Sequence, residues 1–310
     1  MDESCRGIGE GLIINFRGYI VNSENIKKHL EKQAEEAGCY ALLKGRALNT
    51  LTHRGYCAND AKKSDGPFYC PECYSDVVLR KCIEKIDHFA HLSRLTPIHS
   101  AKESELHDTC KKTILEYLAK KHPDGNWEKE REIPKNLEKN YQKLRPDISG
   151  RINGQRLAIE IQLSTLSIGE ILKRTLTYKR RDIAILWVVP LLKPIGQEKF
   201  RPRLFERYLH SMYFGRVYYW WADLKHQILP VHYANTKRAI PYAEWYEDGE
   251  LKQVGGYDKF YKTIKLAECE RLLDIDEDFF GQKREKFIPE NEKKEVPACF
   301  LWQDKLEVWW

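Results

Sequence analysis

This chain of 310 residues lacks any long apolar run. No stretch approaches the ~18 consecutive apolar residues of a spanning helix, which excludes a helical membrane span. Met1 to Glu10 are polar and acidic, and Leu12-Ile13-Ile14 is too short for a signal core, so the expected location is the cytoplasm. Repeats and long low-complexity tracts are missing too. Neither sign of charge dominates: 52 Lys+Arg stand against 46 Asp+Glu, a net +6 that gives only a mild bias toward nucleic acid. The nine cysteines are odd in number and mostly stand singly, which argues against a complete disulfide framework. In a reducing compartment such thiols are free or metal-bound. What is there is an ordinary soluble balance, 42% hydrophobic and 32% charged, in a chain long enough for roughly two to three structural units.

Periodicity and punctuation divide the chain. An N-terminal segment, residues 1–48, carries a helix pattern in Ile26, Leu30, Ala34 and Ala37, with Asn22 or Ser23 as cap and Gly38 as stop. Residues 49–100 are turn-rich. A helix is expected from about Ala101 to Lys121, with Leu106, Cys110, Ile114, Tyr117 and Leu118 apolar and Pro123 and Gly125 closing it. Strands follow near 127–133, 144–152 and 156–163, the last two joined at Asn153-Gly154, a strong hairpin signal. A helix from about Ser167 to Lys179 opens on a capping box, Ser167 with Glu170. The run Ile183 to Val189 is continuously apolar, as in a strand buried on both faces, and Pro190 ends it. This order predicts an α/β (mixed α+β) core over 101–192, a helix, a three-strand meander, a helix and a strand, with helices on the sheet faces. Residues 193–310 form an aromatic-rich C-terminal region, with a hairpin over 215–232.

Five groupings bear on chemistry. Asp147 follows Arg145-Pro146 at a strand start, and Ile159-Glu160-Ile161-Gln162-Leu163 alternates strictly. A hairpin turning at Asn153-Gly154 would bring Asp147 beside Glu160 on one face. Two close carboxylates repel unless a cation lies between them, and oxygen ligands with open positions suit Mg²⁺ or Mn²⁺, as in a metal-dependent phosphodiesterase. The plainer reading is a solvated polar sheet face. Cys70-x2-Cys73 with His88-x2-His91 can close a tetrahedral Zn²⁺ site, with His99 able to replace either histidine. The alternatives are free thiols with ordinary histidines, or a redox dithiol. Glu103, His107 and Lys111 recur every four residues on one helix face, which by spacing alone reads as a surface salt-bridge stripe. Arg174-x3-Tyr178, with Lys173, Lys179, Arg180 and Arg181 near, suits phosphate contacts or a helix end complementing its own dipole. Tyr218, Tyr219, Trp220, Trp221, Trp245 and Tyr246 suit a core more than base stacking on single strands.

These motifs in this order resemble the competence protein CoiA family. The resemblance rests on Phe68-Tyr69-Cys70-Pro71-x-Cys73, His88-Phe89-Ala90-His91, Glu103-Ser104-x2-His107-x3-Lys111, Arg145-Pro146-Asp147-Ile148, Ile159-Glu160-Ile161-Gln162-x-Ser164, Arg174-x3-Tyr178 and Leu186-Trp187-Val188. It covers residues 49–192. It implies an N-terminal zinc-finger-like module and a restriction-endonuclease-like core of the PD-(D/E)XK superfamily. In that superfamily the motif ends in lysine; here Gln162 stands in its place, as in the CoiA branch. Many members carry a cysteine shortly after His-x2-His, where this chain has His99.

The expected function is Mg²⁺-dependent hydrolysis of DNA in uptake, recombination or anti-phage defence. Asp147 and Glu160 would hold the metal, Glu103 would add a carboxylate, and Gln162 would orient the nucleophile. His107, Lys111, Arg174 and Tyr178 would contact substrate, and Cys70, Cys73, His88 and His91 would hold structural zinc. A homo-oligomer or a partner protein is compatible with this. The competing readings are a catalytically inactive DNA-binding scaffold, motivated by Gln162, and a protein-interaction factor using the C-terminal aromatics.

Overall fold

A computed structural model describes residues 12–14, 20–22, 45–71, 74–82, 87–91, 103–139, 141–163, 166–240, 242–247, 249–289 and 295–308. These fall into two compact units, one drawn from 1–95, 198–204 and 234–266, the other from 96–197, 205–233 and 267–310.

The first unit starts with β1 (Leu12–Ile14) and β2 (Ile20–Asn22), paired antiparallel with Leu12 opposite Asn22. Asn22 is thus a strand residue, and the helix expected beyond it lies outside the described residues. Next come β3 (Arg46–Asn49), β4 (Gly55–Cys57), β5 (Phe68–Tyr69), β6 (Asp76–Arg80) and β7 (His88–His91). They form one antiparallel sheet in the order β4-β3-β5-β6-β7. Val77 and Leu79 alternate with exposed neighbours on β6 and bury one face. Phe68 and Phe89 join the same cluster and meet each other edge to face, ring centroids 5.0 Å apart.

In the second unit α1 (Glu103–Lys121) buries Cys110, Ile114 and Leu118 completely, a helical i, i+4, i+8 stripe. After it come β8 (Glu128–Lys129), β9 (Ile148–Ile152) and β10 (Gln155–Ile161), an antiparallel meander. Only two residues of the strand expected at 127–133 pair regularly. The β9–β10 turn is Asn153-Gly154, with φ of 50° and 79°. Positive φ at both central residues is what a two-residue hairpin turn demands, and glycine meets it without strain. Next is α2 (Ile168–Arg180), where Ser167 caps the helix by accepting from the Glu170 N–H at 3.2 Å. The chain returns as β11 (Ala184–Pro190), parallel to β10 and buried at every position.

The next helix, α3 (Leu204–Met212), has no counterpart in the sequence reading. β12 (Val217–Trp220) runs parallel to β11, and β13 (Gln227–Ile240) turns back along β12 with Tyr218 opposite Pro230. This is the hairpin expected over 215–232. β13 continues into the first unit, where β14 (Ala243–Glu247) pairs with β15 (Glu250–Val254) and β16 (Tyr257–Cys269) begins. Back in the second unit, β17 (Leu273–Asp274) pairs with β13. β18 (Phe279–Arg284) pairs with β19 (Cys299–Asp304), and β19 joins β11 in parallel at Ile185 opposite Leu301. Residues 193–310 contribute to both units. Among them β12 and β19 pair with β11 and cover its backbone groups. Tyr218, Tyr219 and Trp220 are fully buried. Tyr246, by contrast, is exposed. Among the described residues no helix is long and apolar enough to cross a membrane.

Candidate active site

The β9–β10 register sets the site. Ile148 pairs with Ile159, Ser149 with Ala158 and Arg151 with Arg156. Continued by one residue, the same register sets Asp147 opposite Glu160, on the sheet face that also carries Ser149, Ala158 and Gln162. The Asp147 Oδ2 accepts the backbone N–H of Ile161 at 2.8 Å, which ties the start of β9 across to the end of β10.

The two carboxylates sit in different surroundings. Glu160 is 2% exposed. Its Oε1 accepts from the Tyr178 hydroxyl at 2.5 Å and its Oε2 from Arg174 Nη1 at 2.6 Å, both on α2. Burial raises its pKa to about 7; Arg174 and Tyr178 oppose that shift, and the nearby Asp147 charge adds to it. Asp147 is half-buried and faces α1. Its Oδ1 lies 3.4 Å from His107 Nε2 and 3.9 Å from Lys111 Nζ.

Lys111 is 5% exposed, so the Glu103-His107-Lys111 stripe is not a solvated surface stripe at its C-terminal end. Its ammonium donates to Glu130 Oε1 at 2.8 Å. Arg145, of the Arg-Pro-Asp segment, donates to the other Glu130 oxygen. Lys111 first, then Arg145, hold the Glu130 carboxyl below its usual range. Glu130 is the residue that sequence reasoning missed. It sits in the charged run Lys129-Glu130-Arg131-Glu132, where nothing in the pattern separates it from its neighbours. Gln162 is buried, its backbone N–H donating to Val188 O at 2.8 Å. Glu103 is the first residue of α1, and its side chain lies outside the described residues.

The structure thus places His107 and Lys111 beside Asp147, and Asp147 within electrostatic reach of Glu160. Arg174 and Tyr178, expected to contact substrate, both bond Glu160. Tyr178 is 1% exposed with its hydroxyl on Glu160. Arg174 keeps part of its side chain exposed, with one guanidinium nitrogen on the same carboxylate.

The expected zinc ligands are placed only in part. Cys70, His88 and His91 are buried, while Cys73 and His99 lie outside the described residues. His88 and His91 are three apart on one strand, with His91 opposite Val77 and His88 opposite Arg80. Strand side chains alternate, so the two imidazoles leave opposite faces of the sheet and do not converge as a pair. His91 shares the face of Phe89, Val77 and Leu79, against which Cys70 packs. Cys57 is disulfide-bonded, unlike the thiols expected throughout. Among the described residues no group of three or more His, Cys, Asp or Glu side chains is gathered to hold a metal ion.

Comparison with known proteins matches two family models in sequence order. The model described as competence protein CoiA, N-terminal domain, matches residues 52–96. The model described as competence protein CoiA, nuclease-like domain, matches residues 103–238. The competence protein CoiA of Bacillus subtilis (strain 168) is 28% identical over 125 residues, 39% of this chain and 31% of that protein. The chain thus spans about a third of the length of the curated relative it matches. Two domain models of one family, in order and together over more than half the chain, with the carboxylate pair, Gln162 and the α2 motif inside the second, assign the chain to the CoiA-like family, with a mixed α+β nuclease-like domain.

Proposed function

We propose that the nuclease-like domain is a metal-dependent deoxyribonuclease of the PD-(D/E)XK kind, hydrolysing phosphodiester bonds during competence-related DNA processing or defence in the cytoplasm. What carries this reading is the closeness of two carboxylates at one end of the hairpin: Asp147, just before β9, accepts the Ile161 N–H at 2.8 Å and its charge acts on Glu160, while Gln162 follows Glu160 two residues on. The succession α1, β8–β10 meander, α2, β11 supports it. The donor set fits a hard divalent cation such as Mg²⁺ or Mn²⁺: two carboxylates and a carboxamide, all oxygen donors. Each carboxylate oxygen has two lone pairs, so the bonds from Tyr178 and Arg174 leave acceptor capacity on Glu160.

Asp147 and Glu160 would hold the cation, with Glu103 completing the set from the first turn of α1. When bound, the cation supplies charge that offsets the phosphate and acidifies water at the site. Gln162 orients the attacking water by hydrogen bonding. Its neutral amide brings no positive charge, and Lys111 supplies that charge from α1, held beside Asp147 by Glu130. His107, its Nε2 3.4 Å from Asp147 Oδ1, steadies that carboxylate. Arg174 and Tyr178 are positioning residues: they orient Glu160 and hold its charge. In the first unit, Cys70 and Cys73 with one of the two histidines would hold structural Zn²⁺, and His91 has the suitable face.

The test is cleavage of linear, circular and single-stranded DNA with Mg²⁺, Mn²⁺ or EDTA, beside Glu160→Ala. Metal-dependent cleavage that the variant loses supports the reading, and unchanged cleavage by Glu160→Ala ends it. A second reading, a DNA-binding scaffold without catalysis, is favoured by the prior engagement of both Glu160 oxygens and by Gln162. It requires salt-dependent binding and no cleavage with any metal.

A further inference from the structure

Beyond the carboxylates, the same sheet face carries a second site of opposite charge. Arg151 and Arg156 are cross-strand partners near the Asn153-Gly154 turn. Four residues along β10 separate Arg156 from Glu160, roughly 13 Å at strand rise. The two arginines border a pocket of about 390 Å³, which Arg131, Lys139 and Arg181 also line. That volume lies in the range of small-ligand pockets.

Like charges directly opposite on a sheet are destabilising unless something offsets them. Here little does. Arg156 Nη1 donates to the Arg181 carbonyl at 3.3 Å, just past the C-terminus of α2. The one carboxylate lining the pocket, Glu132, is taken by Lys143 at 2.7 Å. Arg131 pairs with Glu128. Lys139, Arg151, Arg156 and Arg181 have no carboxylate partner among the described residues.

Two donors in the pocket are unsatisfied. Ser149 is 6% exposed and its hydroxyl has no hydrogen-bond partner. The Arg181 Nε is buried and likewise unpartnered, although its Nη2 donates to the Pro134 and Gln142 carbonyls at 2.7 Å. Buried donors without partners are costly and call for an acceptor. The remaining walls are Tyr141, over which the Arg181 guanidinium lies at 4.9 Å, with Ile133 and Leu157. An anion acceptor among arginines beside an aromatic and aliphatic wall matches a phosphate with a nucleoside attached.

We propose that this pocket binds a nucleoside phosphate, either a free nucleotide or the phosphorylated end of a DNA strand. The phosphate sits between Arg151, Arg156 and the Ser149 hydroxyl, and the nucleoside lies on Tyr141. Binding needs no metal, so it is read separately from cleavage and survives failure of the nuclease reading.

The experiment titrates the full-length protein in EDTA by calorimetry with inorganic phosphate, dAMP, deoxyadenosine, an oligonucleotide with or without a terminal phosphate, and circular single-stranded DNA. dAMP binding without deoxyadenosine binding identifies the free nucleotide; preference for the phosphorylated oligonucleotide identifies the strand end. Either must weaken by about tenfold or more in Arg151→Ala/Arg156→Ala. Arg156→Gln and Ser149→Ala serve if the double variant does not fold. Lys112→Ala/Lys120→Ala, which removes the same charge from exposed positions of α1, should leave the affinity unchanged. Equal loss in that control, equal binding of phosphorylated, unphosphorylated and circular strands, or no binding at all would overturn the proposal.

Discussion

The two ends of the β9–β10 hairpin present the same electrostatic problem with opposite sign. At the open end Asp147, one residue before β9, adds its charge to that of Glu160; at the turn end Arg151 pairs with Arg156. One register rule puts both pairs on one face. The fold answers them differently. It brings Arg174, Lys111 and His107 to the carboxylates, from two helices. To the arginines it brings a helix-end carbonyl and further cations. The carboxylate end is compensated only in part, because Lys111 is shared with Glu130, and the arginine end has no carboxylate partner among the described residues. A like-charge pair is a functional clue to the extent that the rest of the fold leaves it uncompensated.

The largest expected effect tests how far the carboxylate end is compensated. Burial raises the Glu160 pKa from 4.5 to about 7. Between those values the folded state binds more protons than the unfolded state, so this group's contribution to stability falls as pH rises through that window and is constant above it. Glu160→Gln removes this dependence. Urea denaturation from about pH 4 to about pH 8 should show the variant gaining on the parent by on the order of 3 kcal/mol. No difference in slope would mean Arg174 and Tyr178 fully offset the burial.

Gly150, between the two ends on β9, is the next in size. A Cβ there would meet the Trp127 ring at 2.3 Å. Gly150→Ala should lower stability by about 2–3 kcal/mol, read from the Tm, because the indole packs on bare backbone. Lys111→Met isolates the α1 contribution. It leaves Glu130 and Asp147 without their buried cation, and the expected loss is about 2 kcal/mol together with reduced cleavage. The smallest effect has the opposite sign. Arg151→Ala alone should stabilise the protein by about 0.5 kcal/mol in low salt by relieving the cross-strand repulsion, and phosphate should remove that advantage. If phosphate leaves the difference unchanged, the arginine end is not an anion site.

Much of the candidate site was legible because it depends on local rules. Asn153-Gly154 sets a turn, the turn sets the register, and the register runs to Ile148 opposite Ile159, next to Asp147 and Glu160. Ser167 and Glu170 mark the start of α2, and the apolar run after Ile183 marks a buried strand. Other features were not legible. Spacing left open where Arg174 and Tyr178 point, and both turn to Glu160. The His88-x2-His91 spacing reads as a ligand pair in a turn or helix, but on β7 it divides the histidines between two faces. Glu130 joins the site through Lys111 and Arg145, from a charged run with no distinguishing pattern.

The sequence by itself determined the local elements, the hairpin register and the residues that share a strand face, because these follow from turn chemistry and from periods of two and 3.6 residues. Only the tertiary structure decided which charges are answered. Burial of Glu160 beneath α2, the reach of Lys111 to Glu130 and the division of residues 193–310 between two units all depend on contacts between segments distant in sequence. Such contacts are set by which faces must leave water together, and no local pattern encodes that.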